Sequence, residues 1–214
     1  MTDINCFLAG MTRLCISPIL LFVWCRKTGA RLYPAFIAFA VCFPVFIIGG
    51  AIRSGFGRDN FMVYYISQGL LYGILEEGTK YLVIRYFLKS DLRPKNAVVY
   101  GIGHGMYEEL GAGLSCLGLI GTDRAAPDIF LFNLWAAAEG TAFTVSVTVI
   151  VFYGIYTDRA KIAVPAAILL HAVSNMSAGI FIESVSVIIC TILTAGICFA
   201  AYRCYRAVKI LDDY

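Results

Sequence analysis

Apolar residues run through this chain in long stretches interrupted by short polar turns. The stretches cover about 4–25, 32–52, 61–88, 96–120, 129–156, 162–182 and 185–203. Each approaches or exceeds the roughly 20 mostly apolar residues that an α-helix needs to cross a bilayer core. The last two are divided only by Glu183 and Ser184, which predicts a tight turn. The pattern predicts an all-α, polytopic membrane helix bundle with about seven transmembrane helices. No repeat or low-complexity linker divides it, so residues 1–214 read as a single integral membrane domain.

Composition strengthens this picture. Hydrophobic residues make up 60% and charged residues 14%, with a mean hydropathy of +0.79. A soluble domain carries about 25% charged residues, so this chain needs lipid as its outer solvent. The net charge of +3 gives no sign of a nucleic-acid partner. The eight cysteines are scattered through apolar runs without a CxxC pair. They read as small hydrophobes rather than as a disulfide framework or a metal site. The first apolar run is too long for a signal-peptide core and reads as a retained helix.

The basic residues orient the bundle. With the N-terminus outside, Arg26, Lys27, Arg31, Arg85, Lys89, Arg93, Lys95, Arg159, Lys161, Arg203, Arg206 and Lys209 all fall in cytoplasmic segments. Arg53, Arg58 and Arg124 fall outside, and Arg13 and Lys80 lie within helices. That bias predicts N-out and C-in, which requires an odd number of spans. A compact chain of this kind suits the plasma membrane of a bacterium.

Ionisable residues inside spanning helices are costly and by default mark function. Here they gather in four consecutive helices, about 61–182. Gln68, Tyr72, Glu76 and Lys80 recur every fourth residue, as do Tyr100, His104 and Glu108 in the next helix and His171 and Asn175 in the sixth. Such spacing puts each set on one helix face. Glu77, Glu109 and Glu139 add three further carboxylates. At about 1.5 Å rise per residue, Glu76, His104, Glu108, His171 and Asn175 share a layer roughly 10–20 Å from the cytoplasmic ends.

These groups supply the parts of a hydrolytic site. A buried glutamate can act as general base, histidine can shuttle the proton, and Asn or His N–H groups can stabilise an oxyanion. His104, Glu108 and His171 can alternatively hold Zn²⁺ with a water in the fourth position. A metal-independent mechanism is the other option. Bland roles stand beside these: Glu76 and Lys80 as an i, i+4 ion pair, Glu77 as a partner of Arg85, Glu139 as a partner of Lys80, and His171 with Asn175 as polar glue between helices.

Three ordered motifs carry a family resemblance. Glu76-Glu77-Gly78-Thr79-Lys80-Tyr81 resembles the EExxxR motif of the CAAX-protease and bacteriocin-processing (CPBP) membrane proteases, with Lys80 one place early. Tyr100-Gly-Ile-Gly-His104 is similar to their FxxxH motif, and His171-Ala-Val-Ser-Asn175 to their HxxxN motif. Glu108 and Glu139 are not part of that pattern, and the wording around His104 is closer to the YhfC and PrsW-like branches. The chain thus resembles a YhfC-family intramembrane protease over roughly residues 70–180. The resemblance implies that Glu76 activates water with His104 and that His171 and Asn175 stabilise the oxyanion; Glu77, next to Glu76, is a further catalytic candidate on its position alone. Its members are described both as metalloproteases and as glutamate proteases. The expected partner is a membrane-anchored peptide or protein substrate. Two other classes remain open: a proton-coupled transporter using the same buried Glu, His and Lys layer, and a non-catalytic membrane scaffold or immunity protein with a protease-like fold.

Overall fold

A computed structural model describes residues 2–122 and 128–212. Its helices are α1 (Thr2–Thr28), α2 (Tyr33–Ser54), α3 (Phe61–Tyr86), α4 (Pro94–Leu117), α5 (Ile129–Tyr156), α6 (Ala160–Ile180) and α7 (Glu183–Asp212). They match the seven apolar stretches to within a few residues, except that α7 continues well past residue 203. Apolar sequence stops there, but the Arg, Ala, Lys and Leu residues that follow favour helix. One element went unanticipated: a short 3₁₀ turn over Lys89–Asp91. Buried Asp91 organises this basic loop by accepting a hydrogen bond from Tyr33 Oη at 3.0 Å and lying 3.3 Å from Arg31 Nη1.

Local chemistry explains the boundaries. The Asn60 side chain caps α3 by accepting from Val63 N, which satisfies an otherwise orphaned helix donor. Pro34 and Pro94 open α2 and α4, positions where the missing N–H costs nothing. Gly29 leaves α1 at φ 62° while its N–H donates to Cys25 O, a left-handed exit that glycine adopts without strain.

The outer surface is built for lipid. Ile19, Phe22, Phe36, Ile162 and Ile192 are each more than half exposed, as are many other large apolar residues, and a water-facing surface of that kind would associate. Helices α1, α2, α5, α6 and α7 are long and apolar enough to cross a membrane. At 26 and 24 residues α3 and α4 are long enough too, but inward-turned ionisable groups dilute their hydropathy. The chain is a multi-pass membrane protein.

Helix α4 packs on α1, α2 and α5; α5 touches α1, α3, α4, α6 and α7; and α3 pairs most extensively with α6. Gly103 of α4 lies directly on the backbone of Ala35 in α2, where even a Cβ would have to displace the main chain. Cross-links fix the direction of the helices. Gly121 N donates to Asp3 Oδ1, and at the opposite end of α1 Trp24 Nε1 donates to Lys95 O. Loops therefore alternate between the two faces, as the charge bias requires of the first four helices. Arg124, expected on the outer face, lies outside the described residues.

Candidate active site

The site forms where α3, α4 and α6 meet, with α5 closing one side. Close approach of α3 to α6 depends on Gly73, since a Cβ there would sit 2.7 Å from Ile168 O. The i, i+4 spacings then place Glu76 and Lys80, His104 and Glu108, and His171 at one level. Glu76, Glu77, Lys80, His104 and His171 are all buried, and Glu108 is partly open.

Glu76 Oε2 is the meeting point. His104 Nε2 lies 3.0 Å from it and His171 Nε2 lies 3.5 Å from it. His104 Nε2 is also 3.4 Å from Glu108 Oε1, and Thr144 Oγ1 donates to the other Glu108 oxygen at 3.4 Å. Behind this cluster sits Glu77, fully buried. Its Oε1 lies 2.8 Å from His171 Nδ1 and accepts from Lys80 Nζ at 2.7 Å. A carboxylate only accepts, so the His171 contact puts a proton on Nδ1, and Nε2 is the nitrogen that faces Glu76.

Glu76, Glu108 and His171 each offer a donor atom within 4.8 Å of the others. This set fits a divalent cation in three ways. Tetrahedral zinc with bonds of about 2.0–2.1 Å spaces its donors about 3.3–3.4 Å apart, and Glu76 Oε2 and His171 Nε2 of this set are 3.5 Å apart. The carboxylate–histidine arrangement at Glu77 and His171 is one that orients metal-binding imidazoles. Glu76, Glu77 and Glu108 also bring three carboxylates against one Lys80 ammonium, a charge excess that a low-dielectric interior penalises unless a cation or protons balance it. Of the expected ligand set His104, Glu108 and His171, the last two fall in this donor group; Glu76 takes the third place, and His104 lies beside it with Nε2 3.0 Å from Glu76 Oε2.

A cavity of about 990 Å³ leads to this cluster. Glu76, Glu108, Glu139, His171 and Asn175 line it, and it extends past Tyr65 to Arg53 at the end of the bundle that holds the helix α2 C-terminus. Asn175 therefore shares the chamber with Glu76. Tyr65 also lines the wall.

Several pairings differ from expectation. Lys80 bonds Glu77 at i, i+3 rather than Glu76 at i, i+4, because the rotation of α3 turns Glu76 toward α4 and Glu77 toward α6. Glu77 does not use Arg85, which is exposed. Glu139 accepts from Thr194 Oγ1 of α7 rather than pairing with Lys80. The largest omission concerns Arg13. Its Nη1 reaches both Glu109 oxygens at 3.1 and 3.0 Å, and its Nε donates to Asn133 Oδ1 at 2.8 Å. Spacing offered no signal for this network, since its members lie on α1, α4 and α5; the cost of an arginine inside a spanning helix was the one clue.

Comparison with known proteins agrees with the motifs. A family model described as "YhfC intramembrane metalloprotease" matches residues 14–122. The match takes in Glu76, Glu77, His104 and Glu108 and stops before His171 and Asn175. The chain is also 36% identical over 116 residues to "Uncharacterized membrane protein YhfC" of Bacillus subtilis. That alignment takes in 48% of this chain and 45% of the relative, so the chain spans under half of that protein's length. No solved structure matches. Since the family model covers just over half of the sequence, including Glu76, Glu77, His104 and Glu108, the chain belongs to the YhfC intramembrane metalloprotease family.

Proposed function

We propose that this chain is an intramembrane endopeptidase that hydrolyses a peptide bond of a membrane-associated substrate at the cluster of Glu76, His104, Glu108 and His171. The observation that carries the reading is the convergence of two imidazole Nε2 atoms on Glu76 Oε2, with Glu108 beside His104. Glu76, Glu108 and His171 are assigned to hold the cation, with Zn²⁺ the choice that mixed nitrogen and oxygen donors favour. When bound, the ion supplies Lewis acidity toward a carbonyl oxygen and toward water.

The chain's own groups divide the remaining work. Glu77 keeps His171 in the Nδ1–H form and so presents its Nε2 lone pair. Glu76 takes the proton from the attacking water, and His104, whose Nε2–H already donates toward Glu76 and Glu108, gives a proton to the departing amine and is reprotonated from Glu76. Asn175 offers amide hydrogens to the carbonyl oxygen as charge develops there. Gln68 and Asn175 also line the chamber and give an unfolded peptide backbone the hydrogen-bond partners that lipid cannot.

The test is purification of the full chain, with zinc content and cleavage of a membrane-peptide library measured on the same samples. Wild type should bind one zinc and cleave. His171→Ala should lose both properties, whereas His104→Ala should keep the zinc and lose cleavage. Undiminished cleavage in His104→Ala and in Glu76→Gln would overturn the assignment.

A further inference from the structure

The cytoplasmic half of the bundle contains a second hollow, remote from the site. It measures about 690 Å³ and lies between α1, α4, α5 and α7, where α4 and α7 touch only sparsely. Val98, Val145, Val149 and Ala201 make its apolar walls, and Ser146 and Cys198, 3.3 Å apart, lie at its inner end. At its outer end Trp24 meets Tyr205 edge to face at 6.3 Å, and Arg206 and Lys209 complete the rim. Among the described residues, none that lines it is acidic. Arg206 and Lys209 are both exposed, and Arg206 Nη1 donates to Tyr202 Oη at 3.3 Å.

Depth decides what this hollow meets. Helix α7 has 30 residues and so is about 45 Å long at 1.5 Å per residue, against a hydrocarbon core of about 30 Å. It starts at the outer face, directly after α6, so Arg206 and Lys209 fall about 35–39 Å along it, at the level of the opposite headgroups. Cys198 lies about 16 Å back from Lys209, among acyl chains. Trp24 bonds Lys95 O at the same end, an interfacial position that suits indole. The hollow therefore combines an acyl-depth apolar slot with a cationic rim at phosphate depth.

We propose that this groove is a binding site for an anionic phospholipid of the cytoplasmic leaflet, with one acyl chain in the slot and the phosphate between Arg206 and Lys209. Neutral phospholipid fills the slot equally well but leaves the two cations without a net negative partner. The inference is independent of the protease reading.

Trp24 serves as the reporter, since Trp135→Phe removes the other of the chain's two tryptophans. The full-length Trp135→Phe protein is placed in phosphatidylcholine nanodiscs doped with brominated phosphatidylglycerol or brominated phosphatidylcholine. Half-quenching of Trp24 is expected at a several-fold lower mole fraction of the brominated phosphatidylglycerol. Arg206→Ala with Lys209→Ala should abolish the difference, and Arg206→Glu with Lys209→Glu should reverse it. Equal quenching by the two lipids before any rim substitution, or a preference that survives both rim variants, would overturn the proposal.

Discussion

Glu77 Oε1 and His171 Nδ1 lie 2.8 Å apart between two helices, with both side chains buried. The contact fixes which imidazole nitrogen faces the chamber. Glu77→Gln keeps the shape, but it removes the charge that makes the contact strong and lets the amide flip. Loss of a carboxylate behind a metal-binding histidine costs about 10–100-fold in metal affinity. Zinc competition against a chelator should show a drop of that size, with cleavage recovering at higher zinc. An unchanged affinity would mean that His171 is not a ligand.

Lys80 bonds the same carboxylate, and the two side chains are 1% and 0% exposed. Lys80→Met leaves the Glu77 charge buried with His171 alone, and breaking such a pair costs about 3–5 kcal/mol. Lys80→Met combined with Glu77→Gln should unfold at a higher temperature than Lys80→Met alone, because no orphaned charge remains. Thermal unfolding in one detergent gives the comparison; a double variant less stable than Lys80→Met would contradict the pairing.

Arg13 grips Glu109 and Asn133 through separate nitrogens. That planar fork is specific to arginine. Arg13→Met strands Glu109 and should lose about 3–5 kcal/mol, and Arg13→Lys, with one nitrogen for two partners, is expected to fall between it and wild type. Full stability in Arg13→Lys would show that only the charge matters.

Much of the fold could be read in advance because a spanning helix must be apolar over its whole length. The ends of α2, α3 and α5 fell where apolar sequence met turn residues. Helix α7 overran its predicted end because helix propensity continues after hydropathy stops. The site layer was legible from i, i+4 spacing on α3, α4 and α6. The choice between neighbours was not: Glu76 and Glu77 differ by about 100° around the helix, so only the packed rotation of α3 sends one to His104 and the other to His171 Nδ1. The Arg13 network and the gathering of Arg31 and Tyr33 around Asp91 depend on partners distant in sequence, and periodicity carries no information about those.

Gly103 and Gly78 offer a contrast one helix apart. A Cβ on Gly103 meets the Ala35 backbone, whereas one on Gly78 finds nothing within 4 Å. Gly103→Ala should force α2 and α4 apart at a cost of about 1–3 kcal/mol and shift the neighbouring His104, lowering cleavage. Gly78→Ala should leave stability and cleavage near wild type. Similar behaviour of the two variants in unfolding and turnover would show that the α2–α4 contact does not position the site.

The chamber reaches Arg53 at the C-terminal end of α2 and is lined by Gln68 as well as Glu76. Lys27, by contrast, lies at the end of α1 that meets Lys95. The positive-inside bias puts the Lys27 end in the cytoplasm, so the chamber should open to the opposite side. In a cysteine-free background, Gln68→Cys and Arg53→Cys should react with a membrane-impermeant maleimide in right-side-out vesicles, and Lys27→Cys only in inverted ones. Labelling of Gln68→Cys from the Lys27 side would place the entrance on the cytoplasmic face. The peptide would then have to pass the basic loops, where charge favours acidic segments; labelling from the Arg53 side instead points to substrates presented from outside the membrane.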